Sequence, residues 1–184
     1  MEDRKPSRAE ILAARDKTIH DVLAPGLQVI FCGINPGLYS AAVGHNFARP
    51  GNRFWPAIFA AGFTDRLLSP FEERELLRYG CGITNIAARA TATAAELSNE
   101  ELRDGARTLR NKMKRYRPKC VAMVGIGAYR IAFGQPKATI GLQPDKIDAA
   151  TVWVLPNPSG LNAHYQLPAI TIEFRRLKEF LAVS

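Results

Sequence analysis

Two kinds of apolar pattern share the chain. Four short runs are apolar almost without interruption: LQVIFC at 27–32, GCGITNI at 80–86, CVAMVG at 120–125 and TVWVLP at 151–156. Runs of that length, bounded by Gly and Pro and rich in branched side chains, predict strands buried on both faces. Between them, apolar residues recur at helical spacing. Ile11, Leu12, Ile19, Val22 and Leu23 share one face of a helix predicted over ILAARDKTIHDVL, opened by a Ser7/Glu10 capping box and closed by Pro25-Gly26. RFWPAIFAAGF predicts a second helix, in which Pro56 is tolerated only near the first turn. Ser69, Pro70 and Glu72 stand at the N-cap, N1 and N3 positions of a third. Ser98 and Glu101 open another, carried on by Leu102, Ala106, Leu109, Met113 and Tyr116 and stopped by Pro118. AYRIAFG predicts a short helix, and Ile170, Phe174, Leu177 and Leu181 mark one side of the last.

Helices alternating with short apolar strands predict an α/β fold, a parallel sheet with helices on both faces. The crossover rule then points the strands one way. The loops after LQVIFC and after TVWVLP therefore emerge at the same sheet edge, the carboxyl edge where open α/β sheets bind ligands. Neither an internal repeat nor a low-complexity linker divides the chain, so residues 1–184 are expected to form one domain.

Composition narrows the chemistry. The chain has 25 basic and 17 acidic residues, a formal net charge of +8, which favours a polyanionic partner. Cys32, Cys81 and Cys120 are dispersed in or beside apolar runs. That spacing argues against a disulfide framework and a zinc site, and three cysteines cannot supply a four-cysteine iron–sulfur cluster. Buried, reduced thiols are the expectation. MEDRKPSRAE is charged and lacks an apolar core, so no secretory signal is expected, and no apolar run reaches the length of a membrane span.

The two edge loops carry the candidate chemistry. FCGINPGLYS sets Asn35 between an isoleucine and a proline, and LPNPSGL repeats an Asn-Pro turn with Gly close by. Proline fixes each turn, and glycine lets the main chain approach a ligand closely. Neither GINPG, after Cys32, nor LPNPSGL holds a carboxylate, imidazole, thiol or lysine.

GINPG at 33–37, NFARPGNRFW at 46–55 and LPNPSGL at 155–161 together resemble the mismatch-specific uracil-DNA glycosylase / thymine-DNA glycosylase family. The likeness runs from about Leu27 to about Leu181, leaving the N-terminal helix, residues 1–25, outside. It implies a three-layer α/β/α sandwich with a short, mostly parallel central sheet. It implies a monofunctional glycosylase without metal or cofactor. The substrate would be uracil mispaired with guanine in double-stranded DNA, with ethenocytosine and, weakly, thymine besides. A cytoplasmic, nucleoid-associated monomer that meets no membrane is expected.

The resemblance also assigns roles. Asn35 matches the asparagine that positions the attacking water. Phe47 matches the aromatic that stacks on the flipped base. Ile34, Gly37, Tyr39, Ser40 and Asn85 fall in the base pocket, and Asn85 occupies a position where some relatives carry lysine and others asparagine. Main-chain N–H groups around Ile34 to Gly37 would stabilise charge on the departing base. Asn157, Ser159, Gly160, Leu161 and Asn162 belong to the loop set against DNA, with Leu161 as a wedge into the gap left by the base. Arg49 and Arg53 are phosphate candidates, although Arg53 suits an internal carboxylate equally. Bacterial relatives carry an arginine two residues after the leucine; here Ala163 stands there.

Two other readings remain open on the sequence. One is a flavodoxin-like nucleotide-binding module, which lacks a G-x-G-x-x-G or Walker sequence here. The other is a non-catalytic binder of distorted DNA. A lyase would need an amine nucleophile that neither motif loop contains.

Overall fold

The computed structural model describes residues 5–183. Five strands, β1 (Val29–Gly33), β2 (Cys81–Asn85), β3 (Cys120–Val124), β4 (Gly141–Ile147) and β5 (Ala150–Leu155), form one sheet in the order β2-β1-β3-β5-β4. β2, β1, β3 and β5 are parallel, and β4 joins antiparallel at the edge. Every residue of β1 and β3 is buried, which is why these strands read as unbroken apolar runs and not as alternating ones.

Alternate residues of the central strands feed two cores. On one face Phe31 meets Phe54 edge-on at 5.3 Å and stacks with Phe174 at 5.8 Å. That layer contains α3 (Phe54–Ala60) and α6 (Leu167–Ala182). On the other face Ile30 and Cys32 pack with Leu109 and Met113 of α4 (Asn99–Tyr116) and Tyr129 of α5 (Ile126–Phe133). The result is the expected α/β/α sandwich, its sheet short and mostly parallel.

β1 is flanked by β2 on one side and β3 on the other, so the chain reverses its direction of winding there. Such a switch opens a crevice at the carboxyl ends of the strands. Pairing of Gly33 with Asn85 brings the ends of β1 and β2 level at that crevice.

Four sequence expectations need correction. The N-terminal helix α1 covers only Arg8–Leu12, although its Ser7/Glu10 capping box forms as read. Asp16 takes a left-handed φ of 62°, and Val22 then exchanges main-chain hydrogen bonds with Ile83 at the outer edge of β2. Edge pairing and cover of a loop, not one helical face, account for the apolar spacing of Ile19 and Val22. The segment after β1 holds a helix of its own, α2 (Leu38–Val43), and is not all loop. β4 escaped the pattern because only Gln143 and Ile147 are buried along it, and Pro144 interrupts it at a register shift. Proline and charge are devices of edge strands, where no apolar run is needed. The Ser69 start holds, with Glu72 Oε2 accepting the Ser69 N–H, but it opens a 3₁₀ segment, Pro70–Tyr79.

Candidate active site

A cleft of about 430 Å³ opens at the carboxyl edge, walled by the segments that follow β1, β2 and β5 and floored in part by Val124 of β3. Six of the chain's eight asparagines line it: Asn35, Asn46, Asn52, Asn85, Asn157 and Asn162. Arg49 is the one lining side chain with a charge; no carboxylate, imidazole, thiol or lysine joins it among the described residues. An apolar cleft set with neutral amides suits a planar, uncharged, hydrogen-bonding group.

Asn35 lies half-buried in the turn between β1 and α2. Its Nδ2 donates to the Arg89 carbonyl at 3.0 Å and to Thr91 Oγ1 at 2.7 Å. A carbonyl only accepts, so this contact fixes which end of the amide is nitrogen. Thr91 Oγ1 in turn donates to the Thr93 carbonyl at 2.8 Å. Among the described residues no donor meets Asn35 Oδ1, which leaves that oxygen as the amide's free acceptor at the cleft.

The loop behind Asn35 is tied on both sides. Ile86 and Ala87 donate main-chain N–H bonds to Gly33 and Ile34, and Thr91 donates to Pro36. The Arg89 guanidinium bonds Glu101 in the first turn of α4, Asp16, and the Glu96 carbonyl. Hydrogen bonding to Arg89 holds the Glu101 carboxyl down to about 2. From the other side, Asp16 N–H donates to the Ala90 carbonyl, and Ala90 N–H to that of Lys17.

Ile34, Gly37, Ser40 and Phe47 also line the cleft. Gly37 is the N-cap of α2. Ser40 Oγ accepts the Ala48 N–H at 3.0 Å and so anchors the strand of chain that carries Phe47. Phe47 adopts φ 53°, rare for a bulky residue and frequent at functional positions. It stacks on Phe54 at 4.1 Å. Tyr39, by contrast, is half-buried on α2 and does not line the cleft.

Asn85 Nδ2 donates to Asn46 Oδ1 at 3.0 Å, and Asn46 in turn bonds the buried Glu73 through both its main-chain N–H and its Nδ2. The Asn85 carboxamide lies over Gly33: a Cβ on Gly33 would stand 2.5 Å from Asn85 Oδ1 and 3.3 Å from the Phe47 ring. A side chain there would evict both groups.

The loop after β5 is shaped by its own polar side chains. Asn157 Oδ1 accepts the Ser159 N–H, Ser159 Oγ the Leu161 N–H and Asn162 Oδ1 the His164 N–H, while Asn162 Nδ2 donates to the Asn157 carbonyl. Gly160 is outside the cleft lining; a Cβ there would meet the Gly51 carbonyl oxygen at 2.8 Å, so contact between two loops already requires glycine. Leu161 is 67% exposed at the cleft mouth and is no core leucine. Arg49 is exposed beside it, and among the described residues no acceptor binds its guanidinium.

Arg53 has a different place from either one expected. Its Nη1 donates to the carbonyls of Ser159, Asn162 and Tyr165, and its Nη2 to Gln166 Oε1. It staples the loop, and among the described residues it pairs with no carboxylate. His45 bonds Glu73 through Nδ1 at 3.0 Å and packs edge-on against Phe71, away from the cleft lining. Asp65 and Asp104 bond Tyr79 and Arg107, outside the cleft. Lys112, on the basic helix α4, turns inward to Asp21 and Thr84.

The three cysteines are free and buried. Burial pushes the Cys81 and Cys120 thiols up to about 12 and Cys32 up as well, so none is a ready nucleophile. Among the described residues no cluster of three His, Cys, Asp or Glu is placed to hold a metal ion. Arg89, Thr91, Asn46 and Glu73 were not singled out from the sequence. The capping box at Ser98 marked Glu101, but its tie to Arg89 exists only in the fold.

Fold and site together define an α/β protein whose carboxyl-edge cleft suits a small uncharged planar group and sets Arg49 and the exposed Leu161 at its mouth. The chain belongs to the uracil DNA glycosylase superfamily, whose family model matches residues 20–182. That match begins inside the 1–25 segment expected to lie outside it. A solution NMR structure from Methanosarcina acetivorans, named as a candidate uracil DNA glycosylase, has a similar fold, with a TM-score of 0.60 and 18% identity. The alignment covers 89% of this chain and 98% of that one. Members of the superfamily are DNA glycosylases, which makes DNA the ligand class and hydrolysis of a base–sugar bond the reaction class.

Proposed function

We propose that this protein removes uracil mispaired with guanine from double-stranded DNA, as a monofunctional, monomeric glycosylase of the mismatch-specific type. The observation that carries the reading is the Asn35 amide, whose nitrogen is bonded twice and whose oxygen is left free at the cleft. A base inside a duplex is out of reach, so the nucleotide swings into the cleft. Phe47 stacks on the base, and Asn85 meets its polar edge. The electron pair of the base–sugar bond leaves with uracil, and positive charge develops on the sugar. Main-chain N–H groups around Ile34 to Gly37, where Pro36 supplies none, stabilise the departing base. Asn35 Oδ1 holds a water against the sugar carbon, and the help it gives is proximity and orientation, not proton abstraction. Leu161 fills the gap in the stack, and Arg49 meets phosphate. A cleft without lysine favours water over an amine as the nucleophile. Ethenocytosine and, more slowly, thymine are further substrates.

A labelled duplex with one G·U pair tests this. Incubation with the protein followed by alkali is expected to break the strand at uracil. Asn35→Ala is expected to slow release by roughly two orders of magnitude or more. Release is expected to stay flat between about pH 6 and pH 8, because among the described residues no lining group titrates there. An intact strand under excess protein would sink the proposal.

A further inference from the structure

We propose that Asn46, held by Glu73, is a positioning residue that fixes which way round the Asn85 carboxamide faces the base, and thereby gives the cleft its discrimination between uracil and cytosine. This deepens the function proposed above and rests on it for the sense of the preference.

An asparagine side chain has a donor end and an acceptor end of nearly the same shape, so a free one presents either by a half turn. At Asn85 that turn is blocked by a chain of contacts. Glu73 Oε2 accepts the main-chain N–H of Asn46 at 2.9 Å. A main-chain N–H only donates, so this oxygen is an acceptor whatever the other carboxyl oxygen carries. The same oxygen accepts Asn46 Nδ2 at 3.0 Å, and the His20 carbonyl, also acceptor-only, lies 3.3 Å from that nitrogen. Asn46 Oδ1 is therefore the end that faces Asn85, and it accepts from Asn85 Nδ2 at 3.0 Å. Asn46 is 2% exposed and both ends of its amide are already bonded within the protein, so water is a poor competitor for these contacts. Turning Asn85 over would set two carbonyl oxygens against each other with no proton between them, a costly arrangement in a buried site. His45, on the other oxygen of Glu73, keeps that carboxyl from swinging away.

What remains of Asn85 is one acceptor, Oδ1, and one spare Nδ2 proton, in fixed order on a cleft-lining residue. Uracil shows a donor at ring position 3 beside an acceptor at position 4; cytosine shows the inverse. A freely turning amide matches both bases. A locked one matches one of them and sets like against like on the other.

Two duplexes carrying 2′-fluoro-2′-deoxynucleotides, which resist cleavage, decide the point. One holds uracil and the other cytosine, each opposite a stable abasic analogue so that pairing strength does not enter. The wild-type protein is expected to bind the uracil duplex tighter by roughly tenfold or more. Asn46→Ala is expected to bring the two Kd values within about threefold of each other. Glu73→Gln, whose amide oxygen takes over both contacts to Asn46, keeps the wild-type ratio. A merely structural role for Asn46 would weaken both duplexes alike. Equal binding by the wild type, or an unchanged ratio in Asn46→Ala, overturns the proposal, and the wild-type ratio decides alone should that variant not fold. Failure to release uracil from the G·U duplex would sink the proposed function separately, because the binding ratio is read without cleavage.

Discussion

At the scale of single residues, the site is a set of amides whose directions are fixed by acceptors. The Asn35 oxygen is available only because its nitrogen is tied to Arg89 and Thr91. Thr91→Val keeps the shape of that side chain and removes the Oγ1 acceptor. Single-turnover release of uracil is expected to fall about tenfold, with duplex affinity within about twofold of wild type, since the amide then has one anchor instead of two. Paired rapid-quench and equilibrium binding measurements check both halves. Asn35 itself stood out in the sequence, because an Asn between a strand and a Pro-Gly turn is visible there. Thr91 did not, because a threonine far along the chain acquires meaning only when the segment after β2 folds back onto the loop after β1.

The elements around the site divide into those that carry it and those that brace it. Residues 5–19 precede the family match, yet Ala14, Ile11 and Ile19 pack on Leu38, Ala41 and Ala90, and Ile19 reaches the cleft. Removing residues 1–18 is expected to leave the sheet folded and to loosen the Arg89–Thr91 segment. Hydrogen exchange at Thr91 should quicken by about tenfold or more, and uracil release should fall with it. The second brace is the Arg89–Glu101 pair. Folding lowers the Glu101 carboxyl from the ordinary 4.5 to about 2, so its contribution is present above pH 4.5 and is lost as pH falls toward 2. Urea midpoints measured across that window are expected to fall less steeply in Glu101→Gln than in wild type, and the variant is expected to be the less stable of the two at neutral pH.

On the scale of the whole molecule, the net charge of +8 meets a polyanion. Affinity for a duplex is therefore expected to fall steeply with salt. Arg49→Ala should lower the slope of log K against log salt by about 1, the signature of one phosphate contact. Arg53→Ala should act differently. Its guanidinium holds the loop after β5 through main-chain carbonyls, so the variant is expected to lose uracil release as well as affinity. Titrations at several salt concentrations separate the two.

By itself the sequence determined the strands of the parallel sheet, the edge at which the two Asn-Pro loops meet and the neutrality of those loops. Each rests on local information: an unbroken apolar run, a capping residue, or a Pro and Gly that admit few main-chain shapes. The length of α1 and the existence of β4 were not local. Edge pairing of Val22 with Ile83 ended one pattern, and an exposed, Pro-broken edge strand shows almost none. Only the tertiary structure decided the direction of each amide. An asparagine's two ends differ in chemistry and hardly at all in shape, so the sequence leaves them equivalent. The Arg89 carbonyl for Asn35, and Glu73 through Asn46 for Asn85, remove that equivalence once the fold has brought them within hydrogen-bonding distance.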